Sequence, residues 1–151
     1  MGQTHELEEV KQATQARFSR IARDPSSEKR FPVGPESAKN LGYNPVEIDE
    51  MPDSVTESFA GVGCTICLGP IEEGETVLDL GCGAGLDSLL AARRVGPEGR
   101  VIGIDMTPDM VRKAGKNRRK LGMKNVEFRQ GSAEQLPVGN DSVDLVLSNG
   151  V

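Results

Sequence analysis

The sequence predicts an α/β fold, a parallel sheet whose strands alternate with helices, preceded by an all-helical segment. Three observations predict it. Thr76 to Leu80 is a short, mostly apolar run with a single acid, read as a strand buried on both faces. It runs straight into the loop Gly81-Cys82-Gly83-Ala84-Gly85, and Leu86 to Val95 then reads as a helix ended by Gly96. Further apolar runs follow at Arg100 to Asp105, Asn125 to Gln130 and Asp141 to Val151, with a helix predicted from Pro108 to Leu121. Strands that alternate with helices of this length build a parallel sheet.

Taken in order, Thr4 to Asp24 reads as an amphipathic helix. Leu7, Val10, Thr14, Phe18 and Ile21 recur at spacings of three and four, giving one largely apolar stripe. Asp24-Pro25 stops it, and Arg30 to Pro35 is a loop with Phe31 as its anchor. Pro35 to Leu41 is a short helix closed by Gly42. Asn44-Pro45-Val46-Glu47 opens another, with Asn as cap, Pro at the first position and Glu at the third. A last short helix is expected from Ser54 to Phe59. The expected division is a helical lid or collar over residues 1–60 and an α/β unit over residues 61–151. About 60 residues in such short helices could hardly bury a core alone, so the lid is not expected to fold independently.

The chain has 151 residues, 36% hydrophobic and 27% charged, the composition of one ordinary globular unit. Aromatics are only 3%, so the core is expected to be aliphatic. A net charge of -5 gives nucleic-acid binding no bulk electrostatic support. The basic cluster from Arg112 to Lys120 reads as the solvated face of a helix. No apolar run approaches the roughly 20 residues a membrane span needs, and the first residues carry no apolar leader core, so the expected setting is the cytosol. Three cysteines, an odd number, make no disulfide framework and fit a reducing compartment. Cys64-x-x-Cys67 lacks further zinc ligands, since only Cys82 and His5 remain, and no metal site is expected. A redox pair is a second reading, although the usual C-x-x-C follows a strand and opens a helix whereas this one precedes a strand; the favoured reading is two thiols that behave as small apolar groups.

The loop after the first strand decides the ligand class. A dinucleotide fingerprint requires G-x-G-x-x-G, but the third place here is Leu86, and the pattern is G-x-G-x-G. Gly81, Gly83 and Gly85 let a ligand lie against the backbone. Asp79, two residues before the loop, can answer an ammonium group. Asp105 ends the second strand, 20 residues beyond Gly85, where an acid accepts two hydrogen bonds from a ribose diol. Met106 can pack on an adenine ring, and Gly131-Ser132-Ala133-Glu134 after the third strand is in position to line it.

In order and spacing these features resemble class I S-adenosylmethionine-dependent methyltransferases, with a Rossmann-like sheet ordered 3-2-1-4-5-7-6, of which this chain supplies strands one to four. From Phe31 onward, LGYNPVEIDEMP, SFAGVG, ETVLDLGCGAGLDSLLAARRVGPEGRVIGIDMTPDM, NVEFRQGSAEQLPV and DLVLSNGV look like the arsenite methyltransferase branch. The resemblance implies S-adenosyl-L-methionine as cofactor, bound by Asp79, Gly81, Gly83, Gly85, Asp105, Met106, Ala133, Glu134 and Ser148. It implies methyl transfer to a small-molecule acceptor, with no nucleic-acid or membrane partner.

Enzymes of that branch carry arsenic on cysteine thiolates. A gapless match puts Val62 where one of those cysteines stands and Gly150 where another does; Cys64, two residues off, would serve only in a shifted alignment. A quinone-like or other small organic acceptor is therefore the second reading. A non-catalytic cofactor-binding fragment is the third. The chain is expected to be the N-terminal, cofactor half of a longer enzyme, with Leu145, Val146 and Leu147 on an unpaired edge strand prone to association.

Overall fold

The computed structural model describes residues 2–151, with side chains from residue 4 onward. Six helices and four strands are separated by short loops: α1 (Gly2–Arg23), α2 (Pro35–Asn40), α3 (Pro45–Glu50), α4 (Asp53–Thr56), β1 (Thr76–Leu80), α5 (Leu86–Val95), β2 (Arg100–Asp105), α6 (Pro108–Lys120), β3 (Val126–Gln130) and β4 (Leu145–Ser148). Single 3-10 turns lie at Pro25–Ser27 and Thr65–Cys67. No described helix is long and apolar enough to cross a membrane.

The strands form one parallel sheet in the order β3-β2-β1-β4. Leu78 sits between Ile102 of β2 and Val146 of β4. The chain winds outward from β1 through β2 to β3, then returns to place β4 on the other side of β1. All four carboxyl ends therefore point the same way, and the winding direction reverses between β1 and β4. Parallel α/β sheets bind ligands at such a reversal.

One face of the sheet packs against α5, and the short helices join the same core: Tyr43, Ile48, Met51, Val55 and Phe59 cluster with Val77, Leu89, Leu90 and Val101. The N-terminal segment and the sheet thus share a core. The opposite face, Leu78, Ile102 and Ile104, is covered by Leu80 and by Val138 and Val143 of the loop between β3 and β4. β4 lies at the sheet edge, with Val146 half exposed.

β1, α5 and β2 fall where the sequence puts them. Other expectations need correction. α4 is a single turn rather than a helix reaching Phe59, and β4 is confined to Leu145–Ser148. The start of β4 is pinned by Asp144, whose carboxylate accepts the Thr76 amide at 2.8 Å.

The apolar stripe of α1 is split. Ile21 and Ala22 pack against Met110 of α6, with Phe18 and Phe31 beside them, but Leu7 and Val10 are exposed (65% and 58%). Only the second half of the helix crosses α6, so its first turns have no apolar partner among the described residues. Nor is the basic face of α6 wholly solvated. Arg112, Lys116, Arg119 and Lys120 are exposed, but the Lys113 ammonium donates to the Ala22 carbonyl (3.0 Å), Glu57 (2.6 Å) and Ser58 (2.6 Å), tying α6 to α1 and α4.

Helix caps divide the same way. Asn44 caps α3 through the Val46 amide (2.9 Å), as expected. Thr107 occupies the cap position of α6 but makes no side-chain capping bond; its amide is instead held by Asp105 Oδ1 at 2.8 Å. Gly115 lies inside α6 with a helical backbone, and a Cβ there would meet only the Arg119 guanidinium, at 3.8 Å. Nothing in the structure explains a glycine at this position. Gly115→Ala is therefore expected to stabilise the fold by about 0.5–1 kcal/mol through backbone entropy, read as a higher denaturant midpoint at unchanged slope.

Candidate active site

The carboxyl ends of the strands open into a cavity of about 300 Å³, roofed by α1. That volume is at the lower end of the range for small-molecule sites. The glycine loop forms its floor. Gly81 and Cys82 donate their amides to the Ile104 carbonyl at 2.7 and 3.0 Å, and the Gly83 amide donates to Asp105 Oδ2 at 2.9 Å. The loop is thereby locked to the end of β2. Gly83 has φ +55, and a Cβ built on it would meet nothing within 4 Å, so this position opens onto free space beside the cavity. Gly85 differs: a Cβ there would strike Phe128 at 2.9 Å, so its small size serves packing between α5 and β3.

The acids of the site are unequal. Asp79 is 1% exposed and accepts a hydrogen bond from the Ser88 hydroxyl at 2.5 Å. Burial, with Asp87 and Asp105 nearby, pushes its carboxyl up to about 8. Asp87, at the start of α5, is also raised by burial, against the opposing pull of hydrogen bonds from Tyr43 and Asn149. Burial and the same two neighbours, Asp79 and Asp105, push the Cys82 thiol well up, so it stays neutral and packs.

The roof is latched at two points. Lys11 pairs with Glu134, and the Gln15 side-chain amide donates to the Met106 carbonyl at 2.9 Å. Phe18 of α1 and Phe59 complete the apolar part of the wall.

A family model described as a methyltransferase domain matches residues 71–151, more than half of the chain. The chain belongs to that family. It is 46% identical, over 116 residues, to an arsenite methyltransferase from Halobacterium salinarum, a match that covers 76% of this chain and 29% of that protein. An arsenic(III) S-adenosylmethionine methyltransferase from Chlamydomonas reinhardtii has the same fold (TM-score 0.54, 35% identity), covering 80% of this chain and 40% of the other. A SAM-dependent methyltransferase from Aquifex aeolicus also aligns (TM-score 0.54, 30% identity), covering 78% and 57%. The chain thus spans under a third of the length of its curated arsenite methyltransferase relative.

In this methyltransferase domain seven of the residues singled out by sequence, Asp79, Gly81, Gly83, Asp105, Met106, Ala133 and Glu134, line one cavity. Gly85 and Ser148 lie outside its wall; beside Ser148, it is Asn149 that faces the cavity. Cys64 lies outside it too, and it is not a free thiol. Cys64 and Cys67 form a disulfide, with Cα atoms 5.3 Å apart, and Cys82 is the remaining free cysteine. This corrects the favoured expectation of two thiols behaving as small apolar groups and agrees with the second reading only in that the two cysteines pair. Counting cysteines cannot show that the turn Thr65–Cys67 folds the pair to within bonding reach.

The sequence reading missed the cluster on the far side of the cavity. The Tyr43 hydroxyl donates to Asp87 Oδ1 at 2.5 Å. The Asn149 amide donates to Asp87 Oδ2 (3.1 Å) and the Gly63 carbonyl (2.9 Å), while its oxygen accepts the Val62 amide at 2.8 Å. Asn149 therefore fastens the loop before β1, the end of β4 and the start of α5 to one another. Its signal in the sequence was the S-N pair after β4; Tyr43 stands in the LGYNPVEIDEMP run, where nothing points to Asp87. Asn149→Ala is expected to cost about 1.5–3 kcal/mol, since it removes a hydrogen bond to a buried carboxylate. Asn149→Asp should cost more at pH 7 than at pH 4, because it sets a second carboxylate against Asp87. Denaturant unfolding at both pH values measures each effect.

Proposed function

We propose that this chain binds S-adenosylmethionine in the cavity at the carboxyl ends of its strands and serves methyl transfer to a small acceptor. The observation that carries the reading is the convergence of Asp79, the glycine loop and Asp105 on one wall at the point where the sheet reverses its winding. The cofactor fits the residues present. Gly83 offers open space and a backbone that a ligand can approach, Asp79 and Asp105 supply acceptors for an ammonium and a ribose diol, and Met106 supplies a soft apolar surface for adenine. When bound, that cofactor supplies an electrophilic methyl group on a sulfonium. The chain's own residues position and shield: Asp105 anchors one end, Asp79 the other, and α1 closes over the cavity through Lys11 and Gln15. With a strong nucleophile as acceptor, alignment supplies most of the rate and a general base is not required.

The relatives named for arsenite support a soft acceptor, but the two positions that resemblance assigns to arsenic-binding cysteines are Val62 and Gly150. They adjoin each other: a Cβ on Gly150 would lie 3.6 Å from a Val62 methyl carbon. Neither side chain can form an arsenic–sulfur bond, and the nearby thiol of Cys64 is tied up in its disulfide. Phe18, Phe59 and Val151 give the cavity an apolar wall, the feature that keeps a small organic acceptor as the second reading.

Two expected outcomes follow. Asp105→Ala weakens S-adenosylmethionine binding by about 1.5–3 kcal/mol, the range for hydrogen bonds to a charged group; calorimetric titration measures it, and unchanged affinity in a folded variant would put the cofactor elsewhere. The chain with native residues at both positions binds trivalent arsenic weakly in the presence of glutathione. The Val62→Cys, Gly150→Cys double variant gains at least about tenfold in that affinity, as two adjoining thiolates grip a thiophilic centre. Equal arsenic binding by both proteins would remove the role assigned to these positions.

A further inference from the structure

The cavity wall holds four carboxylates and, among the described residues, no unpaired cation; Glu134 is matched by Lys11, which leaves three acids without a cation, Asp79, Asp87 and Asp105. Asp79 is buried, and its side-chain partner is the neutral hydroxyl of Ser88. Asp87 on α5 is 6% exposed and is held by the neutral groups of Tyr43 and Asn149. Asp105 on β2 takes two backbone amides, from Gly83 and Thr107. The loop between them contributes only the buried thiol of Cys82. Among the described residues, Lys11 is the one basic side chain in the wall, and it is already paired with Glu134. Arg94, the cation whose charge reaches Asp87, is paired with Glu47. Three ionised carboxylates around one largely apolar cavity would repel one another with little water to screen them, and a buried acid in that position takes up a proton instead.

We propose that Asp79 carries a proton in the cofactor-free protein and gives it up when the cationic cofactor enters, so that binding and deprotonation are a single event. The inference rests on the S-adenosylmethionine reading of the cavity. The step is a simple exchange: the O–H bond of the Asp79 carboxyl breaks, the proton passes to solvent, and the carboxylate left behind faces the incoming ammonium. Asp79 is the least exposed of the three, and its donors all come from one neutral residue, Ser88, which makes it the one to hold the proton. Its carboxyl is raised to about 8 by burial and then by Asp87 and Asp105, the direction this geometry requires. Below that value the proton competes with the cofactor, so affinity rises with pH, approaching tenfold per unit. An α-ammonium group keeps its own proton below about pH 7.7, which leaves the range from about pH 6 to about pH 7 for reading Asp79.

The test is calorimetric titration of the 151-residue chain with S-adenosylmethionine at about pH 6.5, in two buffers of low and high ionisation heat, PIPES and imidazole. The expected result is a difference in binding heat equal to about one proton released per cofactor bound, with Kd falling about tenfold from about pH 6 to about pH 7. Asp79→Asn should bind with the same heat in both buffers and a flat pH profile, while Asp87→Asn should still release a proton. Tight binding by the native chain with equal heats in both buffers would overturn the proposal and leave the cofactor reading standing, as would proton release that persists in Asp79→Asn. Absence of any cofactor binding would remove the cofactor reading and this proposal with it. If Asp79→Asn does not fold, the native chain in two buffers decides alone.

Discussion

The site depends on one hydrogen bond, from the Gly83 amide to Asp105 Oδ2 at 2.9 Å. It joins the glycine loop after β1 to the acid that ends β2, and the other oxygen of the same carboxylate holds the first turn of α6 through Thr107. Two strands, one loop and one helix meet at this carboxylate. Parallel pairing of β1 with β2 makes it possible, because the register sets Leu80 opposite Ile104 and leaves Asp105 level with the loop. A carboxylate has acceptor capacity beyond two amides, so Asp105 can brace the floor and still face a ligand. Neither Asn nor Ser could do both as well.

The N-terminal segment completes the site from the other side. Its short helices and the loops that join them add Tyr43, Val55 and Phe59 to the core under the sheet, while α1 passes over the cavity mouth. Lys11 and Gln15 of α1 reach residues of the cavity wall, Glu134 and Met106, while nearer its C-terminal end the helix is fixed to the scaffold through Arg17 with Glu28 and Arg23 with Asp109. The roof is thus tied to the rim. Lys113 secures its far end by taking the Ala22 carbonyl and Glu57 together. The first half of this roof, which lacks the apolar packing that Ile21 and Ala22 give the second, is the part that opens at low cost in free energy.

Much of this was legible in the sequence, for identifiable reasons. β1, the glycine loop, α5 and β2 were readable because local pattern and tertiary demand agree there: mostly apolar runs, glycines at positive φ, and a helix ended by glycine. What was not legible depends on which surfaces meet. The periodicity of α1 holds from Leu7 to Ile21, yet only the residues that cross α6 find apolar partners, and no helical pattern encodes where a crossing ends. Lys113 is one lysine in a basic run until α1 and α4 bring acceptors to it. The Cys64–Cys67 disulfide follows from a turn, not from the number of cysteines. Asn149 and Tyr43 lie 106 residues apart, and their meeting with Asp87 is a product of the fold alone.

The central claim is that the cavity under α1, between Gly83 and Asp105, is where the cofactor lies. The most direct measurement is a crystal structure of the chain grown with S-adenosylmethionine. The account predicts ligand density in that cavity, with the ribose diol against Asp105, the amino-acid tail along the glycine loop within reach of Asp79, and the adenine beside Met106. Ordered cofactor at any other place, with the cavity filled by water or by the chain itself, would contradict it.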